Sequence, residues 1–415
     1  MKELQSKQLD YIVQLFGEGD EAPDMNWVSQ LEVNPKTGHA ATTVENIRII
    51  VKNDPRFKGT FYWDEFMERP MVCGDLPWRK ADAKPRSWDD TDDAGVHNVL
   101  EKDYKIDSMP KTREGVDLAL ADITRHPVRE YLRSLIWDGE KRCETLFIDY
   151  LGAEDSRYTR TVTRKALIGA AARILSPGCK HDHMLVLIGP QGCRKSTTLK
   201  KLGKEWFSDS LYTMSGKDAY EQLQGFWIIE LSEMAATRKA EVEQIKQFVS
   251  KQEDNYRAAY ARRTQCHPRQ CAFFGTTNDE EFLRDPTGAR RFWPVVVTDA
   301  GKTLGDKLTA SIVDQIWAEA VTYYEAGETW YLDGAVEEMA RKVQADHTEA
   351  NGKLGLIENF LEVLLPEGWD DWDLEKRLMF WSGGFGEERN GTVPRTKVCA
   401  CLLYTSPSPR DTERS

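Results

Sequence analysis

No run in the 415-residue sequence approaches the roughly 18–20 consecutive apolar residues that a membrane span requires. The amino-terminal stretch, MKELQSKQLDY, lacks the apolar core of a secretion signal, so a cytoplasmic protein is expected. Cysteine is scarce: the eight present, at 73, 143, 179, 193, 266, 271, 399 and 401, are too sparse for a disulfide scaffold and are read as reduced thiols. A surplus of cations is missing too. Fifty-six Lys and Arg stand against 68 Asp and Glu, a net charge of −12, which excludes a nucleic-acid partner held by attraction over the whole surface. What is present, 40% hydrophobic and 30% charged residues, describes a soluble globular chain. At about 100–200 residues per domain, its length suggests two or three domains.

The cations that do exist are clustered. Between Arg164 and Lys204 nine Lys and Arg face one acid, Asp182, and from Asn255 to Asn278 there are four Arg and no acid at all. Residues 1–114 are rich in Asp, Pro and Trp with few periodic runs, and are expected to form a loop-rich, mostly helical region. From 115 to 180 the pattern sharpens into helices. Pro127 suits a helix start and Gly139 a stop, and a long helix is predicted over 161–175, together a helical collar. Within 181–300, HMLVLIGP (183–190), WIIEL (227–231), CAFFGTTN (271–278) and RFWPVVV (291–297) read as buried strands with helical segments between them. That alternation predicts an α/β fold with a parallel sheet. Residues 301–400 read as helical again, and 401–415 (CLLYTSPSPRDTERS) resembles translated adaptor read-through, an expected non-native tail on a chain truncated near Ala400.

The strongest motif is GPQGCRKST, Gly189 to Thr197, after a buried strand and before a helix. In a phosphate loop the backbone N–H groups of Gly189, Gln191, Gly192, Arg194 and their neighbours cradle phosphates at a helix N-terminus. Lys195 reaches the terminal phosphates, and Ser196, followed by Thr197, ligates Mg²⁺. Arg194 stands where the consensus has its second Gly, and its Cβ penalises positive φ; Gly192 is expected to supply that conformation instead. FWIIELSE then places Glu230 at a strand tip and Glu233 three residues on, carboxylates suited to hold the metal and polarise the attacking water. Asn278 ends a third strand, where it could orient a water beside the γ-phosphate. Arg290 and Arg291, on a turn before a fourth strand, could reach a neighbouring subunit's γ-phosphate. ATP with Mg²⁺ is the implied ligand pair. His181, His183, Cys266, His267 and Cys271 have metal-ligand chemistry but make no four-ligand set of usual spacing, so zinc is not expected.

In this order GPQGCRKST, FWIIELSEM, KQFVSKQEDNYRAAYARRTQCHPRQ, FFGTTN and DPTGARRFWPV resemble the virulence-associated protein E family, phage-encoded P-loop ATPases similar to superfamily 3 helicases. HPVREYLRSLIWDGEKR and LIGAAARILSPGCKHDHMLVLIGPQG extend the resemblance upstream, so that it covers roughly 115–350. It implies an AAA+-like ATPase core, a hexameric ring around single-stranded DNA, commonly a primase partner, and a phage or prophage origin. The first 115 residues match only a variable linker region, and no acidic pattern of a primase is visible. The family's DNA-touching hairpin corresponds here to Asn255–Arg269, where Tyr256 and Tyr260 interleave with Arg257, Arg262, Arg263 and Arg269 as a strand-tracking surface requires. The resulting expectation is an ATP-dependent DNA helicase or translocase in phage or mobile-element replication. The alternative is an ATP-binding assembly or regulatory protein that does not unwind DNA.

Overall fold

The computed structural model describes residues 25–216, 218–232, 239–256, 264–279, 282–283, 289–347, 364–381 and 392–393. Its amino-terminal unit is built from helix α1 (Val44–Asn53), strands β1 (Phe61–Asp64), β2 (Arg69–Val72) and β3 (Arg86–Ser87), helices α2 (Asp90–Tyr104) and α3 (Met109–Asp122), and strand β4 (Thr124–Arg125). The helices start where capping chemistry permits. Thr43 accepts from the Asn46 amide before α1, and Asp89 with Asp92 forms a reciprocal capping box on α2. Ile47, Ile50, Val96, Leu100, Val116 and Leu120 meet Phe61 and Val72 in one core.

Helices and loops make up most of this unit, and the structure adds to them a small sheet that the sequence did not reveal. The strands form a four-stranded sheet of order β3-β2-β1-β4, antiparallel except for the β1–β4 pair. Strands of two to four residues are too short to show alternation in a sequence. Because α3 runs through 114/115 and β4 pairs with β1, the unit continues to Arg125, beyond the boundary read from composition.

Helices α4 (Pro127–Ser134), α5 (Leu146–Leu151) and α6 (Arg157–Leu175) lead into the second unit. There follow β5 (Met184–Ile188), α7 (Lys195–Gly203), β6 (Phe207–Ser208), a short α8 (Asp218–Glu221), β7 (Ile228–Leu231), α9 (Lys239–Val249), a hairpin of β8 (Glu253–Tyr256) and β9 (Gln265–Pro268), β10 (Ala272–Thr277) and β11 (Phe292–Val296). Helices α10 (Gly301–Leu304), α11 (Ala310–Glu325), α12 (Gly334–Asp346) and α13 (Leu374–Trp381) complete the described chain. The core sheet has five strands in the order β11-β5-β10-β7-β6, every pair parallel. This is an α/β protein whose five-strand, all-parallel sheet is consistent with a P-loop NTPase core. β6, only two residues long, is the strand that the sequence pattern did not reveal.

Near-continuous apolar strands suit a sheet covered on both faces. Leu185, Leu187, Ile228, Phe274, Trp293 and Val295 point to one face, packed by α4 to α7, α11 and α12. Met184, Val186, Ile188, Ile229, Phe273 and Phe292 point to the other, packed mainly by α9 and the 219–223 turn. The segment expected as a collar is thus part of the layer that covers the sheet. Trp227 and Trp317 meet in that layer with ring centroids 4.1 Å apart and planes tilted by 38°, each fully buried with its indole N–H satisfied, by the Ala170 carbonyl at 2.8 Å and the Leu202 carbonyl at 3.0 Å.

Close packing reaches its limit where α6 crosses the buried His181. A Cβ on Gly169 would lie 2.4 Å from the imidazole Cε1, so the ring occupies the space a side chain would need. Gly169→Ala is therefore expected to destabilise the protein by about 1–3 kcal/mol, the usual cost of overpacking, despite alanine's better helix propensity. Chemical denaturation followed by tryptophan fluorescence measures this, and a more stable variant would contradict the packing.

Candidate functional site

Alternation along the strands decides which side chains gather above the sheet. In β7, Ile228 and Glu230 share one face, and in β10, Ala272, Phe274 and Thr276 share the same one, with Phe274 opposite Glu230 in register. α7 packs on that face, so Ser196 in its first turn comes within reach of both strands. The Ser196 hydroxyl donates to Glu230 Oε1 at 2.6 Å, and the Thr276 hydroxyl donates to the same oxygen at 2.6 Å. Glu230 is 1% exposed, and its Oε2 is buried with no hydrogen-bond partner. A carboxylate with one buried oxygen unused, and a serine hydroxyl beside it, are the hard oxygen ligands that Mg²⁺ prefers.

The phosphate loop leaves the carboxyl end of β5 beside that of β10, the edge at which parallel α/β sheets bind ligands. Lys195, 8% exposed, donates to the carbonyls of Gly189 (2.5 Å) and Pro190 (3.0 Å) and to Asn278 Oδ1 (2.8 Å). A cleft of about 470 Å³ opens above it, lined by Gln191, Gly192, Arg194, Lys195, Ser196 and Thr197 from the loop, with Ser232, Thr276, Thr277, Asn278 and Lys302 opposite. That volume lies in the range of small-ligand sites, and the N–H groups opening α7 have no intrahelical partners.

Gly192 takes a left-handed conformation (φ 83°), as expected, but it does not spare Arg194, which is left-handed as well (φ 70°). The expectation that glycine would substitute for it is corrected: Arg194 is itself the residue that turns the chain into α7, at a cost of about 1–2 kcal/mol. Room for its Cβ exists because residue 305 is glycine, on which a Cβ would stand 3.0 Å from that of Arg194. Asp306 holds the guanidinium at 3.2 Å.

Thr276, Ser232 and Lys302 were not singled out from the sequence. Thr276 carried a usable signal, since it precedes Asn278 by two residues on a strand and therefore shares its face. Lys302 carried none, because only folding brings the stretch after β11 beside the loop.

Arg290 and Arg291 are not brought to this cleft. They precede β11, whose Phe292 pairs with Met184 at the amino end of β5, whereas the loop follows the carboxyl end. Five strand residues, about 16 Å at roughly 3.3 Å each, separate the two ends. Arg290 is exposed, and Arg291 donates to the Ser250 hydroxyl at 2.8 Å.

The hairpin reading is corrected in part. β8 and β9 pair antiparallel from Glu253–Pro268 to Tyr256–Gln265, so a hairpin is present. Tyr256, however, is 6% exposed and stacked on His267 at 4.1 Å, and burial pushes its hydroxyl above the usual tyrosine range. His267 in turn meets Glu68 of the β1–β2 turn at 2.6 Å. Arg269 is 3% exposed, donates to both Asp254 oxygens at 2.6 and 3.0 Å and to the Phe248 carbonyl, and lies over the Phe248 ring. Tyr256 packs on the second strand of the hairpin and Arg269 braces its base, and both side chains are buried within the protein. Glu233, Arg257, Tyr260, Arg262 and Arg263, like the 401–415 tail, lie outside the described residues.

Among the described residues no three His, Cys, Asp or Glu are grouped to hold a metal ion by themselves, and no helix is long and apolar enough to cross a membrane. His183 stacks on Trp293 at 4.5 Å, and burial pushes the His181 imidazole well below the usual histidine range.

Two apo structures of the NrS-1 C terminal region are similar to this chain. One has a TM-score of 0.45 at 11% identity over 78% of this chain and 82% of that one. The other has a TM-score of 0.41 at 14% identity over 73% and 77%. No curated protein matches the sequence. Residues 132–349, just over half of the chain, match the Virulence-associated protein E-like domain, a family that implies a nucleotide-binding P-loop NTPase. With its phosphate loop, carboxylate strand and Asn-bearing strand converging on one cleft inside that span, the chain belongs to the virulence-associated protein E-like family.

Proposed function

We propose that the protein is an ATP-dependent DNA helicase or translocase with an AAA+-like core, acting in phage or mobile-element replication. The observation that carries this reading is the convergence of Lys195, Asn278, Ser196, Glu230 and Thr276 at the carboxyl ends of three parallel strands. In it β10 lies between the loop strand and the carboxylate strand, so Asn278 would serve the phosphates and Glu230 the metal.

The roles follow from chemistry. The α7 amides and Lys195 bind the β- and γ-phosphates, with Lys195 exchanging its loop carbonyls for phosphate oxygens while Asn278 keeps it aimed. Ser196 and Glu230 would hold Mg²⁺, which when bound would supply positive charge against the phosphates. Glu233 would take the proton of the attacking water. Arg290, exposed at the opposite end of the strands from its own loop, would serve a neighbouring subunit's nucleotide, in keeping with a hexameric ring. Arg257, Tyr260, Arg262 and Arg263, between the ends of the described hairpin, would track single-stranded DNA, and a primase is the expected functional partner.

The test is ATP hydrolysis with and without single-stranded DNA, in the parent and in the Arg262→Ala/Arg263→Ala double variant. DNA should stimulate the parent. In the double variant the slope of log binding constant against log salt should fall by roughly 1.4, two contacts at about 0.7 each. Slow turnover indifferent to DNA would instead favour the assembly or regulatory reading.

A further inference from the structure

The segment after β11 lies against the phosphate loop more closely than any side chain would permit. A Cβ on Gly189 would stand 2.4 Å from the Val297 carbonyl oxygen, and one on Gly301 2.4 Å from the Cys193 carbonyl oxygen. With Gly305 beneath Arg194, three glycines let 297–307 run against the loop as a strap. Its ends are tied by the Val297 amide donating to Ile188 (2.7 Å), the Thr298 amide to Leu151 (3.1 Å) and Lys201 Nζ to the Gly305 carbonyl (2.8 Å).

This strap delivers Lys302 into the wall of the nucleotide cleft, on the side facing Gly192, whose missing Cβ would stand 3.9 Å from Lys302 Cε. Lys195, deeper in, is held by two loop carbonyls and Asn278. Lys302 is 52% exposed, and its contact is an ion pair within its own turn, to Asp299 Oδ1 at 2.9 Å. Arg194 shows the same arrangement, paired with exposed Asp306 of the strap. Exposed pairs of this kind contribute little, so exchanging a carboxylate for a polyphosphate oxygen of higher charge is favoured.

We propose that Lys302 is a further phosphate-binding residue of the site, and that Asp299 is its internal placeholder, released when a nucleoside di- or triphosphate enters. The inference rests on the nucleotide reading and deepens it: the cleft selects polyphosphates over monophosphates by a cation outside the loop motif.

Binding of Mg²⁺–ATP and of AMP to the full chain, measured by calorimetry over a range of salt, tests it. Lys302→Ala should weaken ATP binding about tenfold and reduce its salt dependence while leaving AMP affinity unchanged, and Lys302→Arg should restore most of the loss. Asp299→Asn should tighten ATP binding about two- to threefold, because a competitor is gone. A merely structural pair would not do this, since removing either partner of a brace weakens binding. Unchanged ATP affinity in Lys302→Ala, or a loss in Asp299→Asn matching it, overturns the inference while the nucleotide reading stands. A parent that binds neither nucleotide overturns both.

Discussion

Lys195→Ala is expected to lower ATP hydrolysis by at least a hundredfold. Its ammonium is the charged donor at the centre of the loop, held in place by three oxygens, from Gly189, Pro190 and Asn278. Removing one preorganised donor to a developing oxyanion typically costs about 10²–10³ in rate, and here the donor carries a full charge. The expected loss is in the chemical step, with ATP still bound more weakly by the amides opening α7. Steady-state hydrolysis and nucleotide binding, measured on the same preparation, separate the two. Activity within threefold of the parent would place the nucleotide chemistry elsewhere.

Arg269→Ala should cost about 3–5 kcal/mol of stability, the usual effect of removing one partner from a buried ion pair. Asp254 is 5% exposed and would keep a carboxylate without its counter-ion, while the guanidinium's contact with the Phe248 ring, 4.4 Å from its centroid, would be lost. Asp254→Leu/Arg269→Met should recover much of the loss, since apolar side chains of similar volume often replace such a pair. Urea unfolding followed by tryptophan fluorescence measures both. A stable Arg269→Ala protein with weakened DNA binding would instead return this residue to a DNA surface, as the acid-free run of the sequence first suggested.

That contrast shows where sequence reasoning stops. Gly189 to Thr197 between strand and helix, Glu230 near a strand end and Asn278 after another were legible because their placement depends on local order: a turn into a helix, an apolar run ended by a polar residue. Parallel pairing was legible because buried strands alternate with helices. The short strands β1 to β4 and β6 were not, since two to four residues cannot display a period. Arg194 was read correctly as sterically penalised, but what tolerates it is Gly305, more than a hundred residues away.

By itself the sequence determined the phosphate loop, the carboxylate and Asn strands, and the α/β alternation that places them at one edge. Only the tertiary structure decided which cations are available. Arg257, Arg262, Arg263 and Arg269 look alike in an acid-free run, yet Arg269 is consumed by Asp254 within the protein. Lys302, unremarked in sequence, stands in the wall of the cleft. The physical reason is that a charge's role depends on its solvent exposure and its nearest counter-charge, and both are set by residues distant in the chain that only folding brings together.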